Sequence, residues 1–117
     1  MPIQYGNILA KHVSNGMVNV GGAEWIPLVA VGTTPKAKRQ WVQIQMKTPG
    51  ALCLGYSNIN DDGTFTAPTY NGIAAKIIVS AAIWTEPLSD SVMLWGRYTA
   101  KGGATAGGGK VIVTEYA

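Results

Sequence analysis

The sequence predicts an all-β protein: a small antiparallel β-sandwich or jelly-roll-like domain with an N-terminal extended arm. Three observations carry this. Val, Ile and Thr number ten each, so 30 of 117 residues are β-branched, while Leu numbers six and Glu three. That composition suits pleated strands and starves helices. Fifteen Gly and six Pro are spread along the chain, as turns between short strands require. Apolar and polar residues also alternate with a period of two in the segments best suited to strands. The length suits one domain, which buries roughly two-thirds of its unfolded surface and so builds a core without staples.

The first 22 residues are apolar but hold no sustained period. They include Ile3, Tyr5, Ile8, Leu9, Val13, Met17, Val18 and Val20. An arm over 1–22 that buries these side chains against the domain or another subunit is expected; an ordinary first strand or two is the alternative. The sandwich then spans 23–117. Its strands are expected at 24–31, 39–47, 51–56, 64–67, 76–84, 91–100 and 111–116. In the second, Val42, Ile44 and Met46 point one way and Trp41, Gln43, Gln45 and Lys47 the other, which describes a half-buried strand. In 91–100, Val92, Leu94, Gly96 and Tyr98 alternate with Met93, Trp95, Arg97 and Thr99. Both faces are large, so this strand is central in its sheet or covered by a neighbouring chain. Asn15-Gly16, Asp62-Gly63 and Asn71-Gly72 are turn signals. Thr48-Pro49-Gly50 and Glu86-Pro87 end strands, because Pro lacks a ladder donor. Gly102 to Gly109 reads as a flexible hairpin loop.

Charged residues are 13% of the chain, about half the usual share. A surface covered by Thr, Ser, Asn, Gln, Gly and Ala is often one that meets other protein. The net charge of +3 is too weak to argue for nucleic acid by itself. The single cysteine, Cys53, precludes an intrachain disulfide, and its neighbours Leu52 and Leu54 suggest a buried thiol. No segment reads as a signal peptide or a membrane span, so a soluble protein made in a cytoplasm is expected.

The supply of catalytic groups is thin, and no enzyme is expected. His12 is the one histidine, so neither a zinc site nor a Cys-His pair assembles in the usual way. The six carboxylates could in principle supply a glycosidase pair, but Asp61 and Asp62 are adjacent in a turn and Glu86 sits at a strand end. Gly109-Lys110 lacks the spacing of a phosphate loop: position 104 is Ala, position 111 is Val and a strand follows. Asn58, Asn60 and Asp62 match the first ligand positions of a calcium loop, with Gly63 at the sixth; Thr69 fails the twelfth. An Asx-rich turn explains the stretch better than a weak cation site. No cofactor is expected.

Two features suggest contact with a partner. Lys36, Lys38 and Arg39 form the one basic cluster, beside Trp41; a solvated loop, an acidic protein patch or a nucleic acid would each suit it. Trp41 shares its face with Gln43 and Gln45, and Trp95 shares its face with Arg97. Such polar, aromatic faces suit a subunit contact better than a core. They point to a symmetric homo-oligomer, with a trimer favoured. Exposed aromatics on a sandwich also suit a glycan.

The strings Leu54-Gly55-Tyr56, 63–68 (GTFTAP), 84–88 (WTEPL) and 94–97 (LWGR) give the stretch from Leu52 to Tyr116 a resemblance. It is similar to small β-sandwich decoration, or cement, proteins encoded beside the major capsid protein of tailed bacteriophages. The resemblance implies a structural virion protein on the capsid exterior, a trimer, with the major capsid protein as partner. It brings no catalytic residues, cofactor, nucleic acid or membrane. A glycan- or host-surface-binding module of a head fibre or tail is the alternative.

Overall fold

The computed structural model of the chain describes residues 12–22, 24–68, 76–79, 83–100 and 109–117. Among the described residues there are eight strands: β1 (Val13–Val20), β2 (Ile26–Pro27), β3 (Trp41–Met46), β4 (Gly50–Asn58), β5 (Lys76–Val79), β6 (Ile83–Pro87), β7 (Val92–Ala100) and β8 (Gly109–Tyr116). They form two antiparallel sheets, A in the order β1-β8-β3-β6 and B in the order β2-β7-β4-β5.

This order has a simple origin. The first strand pairs with the last, the second with the seventh, the third with the sixth and the fourth with the fifth. The chain is one long hairpin whose tip joins β4 to β5. Rolling that hairpin up adds the β3–β8 and β4–β7 ladders and splits it into two facing sheets, which is the jelly-roll arrangement.

The period of two decides what lies between the sheets. Val42, Ile44 and Met46 of β3, Val111 and Val113 of β8, Leu52 and Leu54 of β4 and Leu94 and Tyr98 of β7 are buried in one core, with Val20 and Leu28. Full burial of each aliphatic side chain is worth about 1.5–3 kcal/mol. The core needs close approach at two glycines. A Cβ on Gly109 would meet the Tyr98 ring at 2.5 Å, and one on Gly16 would strike the Ala30 carbonyl.

Several expectations change here. Residues 13–20 are the first strand of sheet A, paired along their whole length with β8, so the arm does not extend to residue 22. Positions 1–11, with Ile3, Tyr5, Ile8 and Leu9, lie outside the described residues. Asn15-Gly16 is not a turn but the middle of β1, opposite Thr114 and Val113. The Asn15 amide donates to Thr114 Oγ1 at 2.7 Å, and glycine stands at 16 to admit Ala30. The stretch 24–31 is extended in a ladder only at Ile26–Pro27. The stretch 64–67 makes a single bridge, Ile59 with Phe65. The 76–84 stretch divides into β5 and β6, which go to opposite sheets. Asn71-Gly72 and most of the 102–109 loop lie outside the described residues. Pro87 sits at the end of edge strand β6, where a missing donor costs nothing.

Candidate interaction surface

The outward face of sheet A is built by the residues that alternate with the core. The ladders align them in rows across β1, β8, β3 and β6. Val13, Tyr116, Trp41 and Pro87 form the first; Asn15, Thr114, Gln43 and Thr85 the second; Met17, Ile112, Gln45 and Ile83 the third. The strand period continues into a fourth row, where Lys47 lies beside Lys110: the Lys47 N–H donates to the Lys110 carbonyl at 2.8 Å. Val13, Met17 and Ile83 are 56–58% exposed. No carboxylate stands on this face among the described residues. The second row is tied internally by the Asn15–Thr114 bond and a long bond from the Tyr116 hydroxyl to Gln43 at 3.4 Å.

The outward face of sheet B is different. Val29, Met93 and Trp95 bury one another in a second small cluster, with Trp25, Phe65 and Ala67 packed on it. The Trp95 indole N–H donates to Ser57 Oγ at 2.8 Å, which sets the ring. Beside it lies a cavity of about 250 Å³ lined by Pro27, Phe65, Met93 and Trp95 on its apolar side and by Thr33, Thr34, Gly63 and Thr64 on the other. Arg97 stacks over the Trp25 ring at 5.3 Å and donates to the Gly22 carbonyl. Cys53 is half-buried; it alternates with the core residues Leu52 and Leu54, so it is not the core thiol expected from its neighbours.

Trp41 and Trp95 therefore do not share a surface. Their strands belong to different sheets, and their outward faces point away from each other. The basic cluster is also divided. Arg39 is buried, paired with the buried Glu115 at 2.7 Å. Its remaining N–H groups donate to the carbonyls of Leu88, Ser89 and Val92. Glu115 also accepts the backbone N–H groups of Ala30 and Lys36. Arg39 is thus a clamp on the 28–40 and 88–92 loops and offers no charge to a partner. Lys36 reaches Ser14 Oγ at 2.8 Å. Lys38 is exposed, with φ at 61° and its N–H on Asp90.

The Asn58–Gly63 stretch is an Asx-rich turn. The Gly63 N–H closes on the Asn60 carbonyl, with φ of 86° at Gly63. Asp62 Oδ1 accepts both the backbone N–H and the hydroxyl of Thr64, and these bonds hold its carboxyl below the ordinary value of 3.8. Among the described residues no three His, Cys, Asp or Glu side chains gather as a metal site would require.

Sequence reading placed Met17 in the arm and Lys47 on the outward side of its strand, and did not single out Ile83 or Lys110. Only the ladder between β3 and β8 puts Lys47 and Lys110 side by side on this face. Comparison with models of known protein families and with curated proteins finds no match.

Proposed function

We propose that the chain is a structural virion protein, a capsid decoration or cement protein that binds the outside of an assembled phage capsid and stabilises it. The observation that carries this reading is the outward face of sheet A. Four strands present a carboxylate-free surface of amides, hydroxyls and aromatics with exposed Val13, Met17 and Ile83 at its edge strands. Solvent alone gives no reason for such a face, and contact with another protein does. A ligand that binds only the assembled shell stabilises it by RT ln(1 + [L]/Kd). In this role the chain sits on the capsid exterior as a homo-oligomer, a trimer in the simplest case, with the major capsid protein as its partner.

The test uses assembled empty shells of the major capsid protein encoded in the same genome. The chain should sediment with the shells and raise their dissociation temperature. Failure to co-sediment at micromolar concentration, with unchanged shell melting, would overturn the reading.

One observation favours a second reading, a glycan- or host-surface-binding module of a head fibre or tail. The cavity on sheet B is lined by Phe65 and Trp95 together with Thr33 and Thr34, a pairing that suits a sugar ring. Titration with free hexoses, followed by the Trp95 indole resonance, decides it: saturable shifts support the second reading, and none removes it.

A further inference from the structure

Two like-charge pairs of opposite sign stand at opposite ends of the molecule. Lys47, the residue after β3, and Lys110 of β8 are exposed neighbours. Asp61 and Asp62 are exposed and consecutive in the loop after β4. None of the four makes an ion pair among the described residues. The lysines lie by the turn that opens β4 at Gly50, and the aspartates follow its other end at Asn58. Those ends are about 27 Å apart at the ~3.4 Å rise of a strand, too far for the pairs to neutralise each other within one chain.

Each pair has an apolar companion. Met17 and Ile83 occupy the row next to the lysines, and each is 58% exposed; Ile59, 45% exposed, precedes the aspartates. The bonds from Thr64 fix the Asp62 carboxylate in the turn.

We propose that the Lys47–Lys110 end of sheet A docks on the Asp61–Asp62 loop of a second copy of this chain, so that copies join head to tail in a closed ring. The contact is heterologous, because two different patches meet. Such contacts generate rings when the rotation closes. Docking brings charges of opposite sign together and covers Met17, Ile83 and Ile59. The inference supplies the subunit contact for the oligomer in the decoration reading, and its test requires no capsid.

The mass of the full chain is measured by light scattering at micromolar concentration, at about 0.1 M and about 1 M salt, where the Debye length falls from ~10 to ~3 Å. The parent should form one closed oligomer at low salt and lose at least tenfold in association at high salt. Lys47→Glu with Lys110→Glu should give monomers, as should Asp61→Lys with Asp62→Lys. All four reversals together should restore the oligomer. Circular dichroism confirms that each variant is folded. A monomeric parent at low salt, or a double reversal that keeps the parent's mass, would overturn the proposal. So would a folded fourfold variant that stays monomeric. A monomer that still coats shells removes the ring and leaves the decoration role, while a ring that ignores shells does the reverse.

Discussion

Arg39 and Glu115 form a fully internal ion pair, 2.7 Å from guanidinium nitrogen to carboxylate oxygen, where the 28–40 and 88–92 loops meet. Glu115 lies on the inward face of β8, continuing the line of Val111 and Val113. A carboxylate there is tolerable only because a cation and two backbone N–H groups meet it. The same cation ties down three carbonyls of the 88–92 segment. Glu115→Ala should therefore leave a buried guanidinium without its charge partner and cost about 3–5 kcal/mol. Urea denaturation measures this. The double variant Arg39→Met, Glu115→Leu should recover much of the loss. A Glu115→Ala protein as stable as the parent would show that the pair contributes nothing.

Close packing gives a second prediction. Gly109 opens β8 with the Tyr98 ring where its Cβ would be. Gly109→Val forces that ring to move and should cost about 1–3 kcal/mol, the usual cost of overpacking. The Tyr98 hydroxyl bonds the Pro49 carbonyl, so displacing the ring also loosens the turn before β4. Faster amide exchange in 47–50 checks this.

Asp62 gives a pH prediction. Its carboxyl is depressed first by the Thr64 hydroxyl and then by the Thr64 N–H. A depressed acid contributes stability that is complete above the ordinary value of 3.8 and is lost as pH falls below it, through the folded value. Thr64→Val removes the larger cause. The Asp62 carboxyl carbon should then titrate at a higher pH in NMR, and the acid side of the stability curve should flatten below pH 3.8. An unmoved titration would assign the shift to something other than the Thr64 hydroxyl.

The exposed edge of sheet A separates contact from folding. Met17→Ser with Ile83→Ser touches two side chains that are each 58% exposed. Stability should change by no more than about 0.5 kcal/mol per site, while self-association and attachment to shells weaken. An unchanged denaturation midpoint with weaker association is the expected pair of results. Unaltered association would remove this face from the contact.

The all-β class, the inward lines Val42-Ile44-Met46 and Leu94-Gly96-Tyr98 and the strand stops at Pro49 and Pro87 were legible in the residues themselves. A strand's two faces are set by its own period, and proline lacks a donor in any fold. Long-range pairing is not written locally. Asn15-Gly16 carries the local signature of a turn, and only the approach of Ala30 and the ladder to β8 make it mid-strand. Arg39 reads as one of three loop cations until Glu115, 76 residues away, is brought against it. Trp41 and Trp95 alternate with the core in the same manner, yet rolling up the hairpin sends them to opposite outer faces. Alternation shows that a side chain leaves the core of its own sheet. Which neighbours it then meets depends on strand order, and strand order comes from contacts between distant parts of the chain.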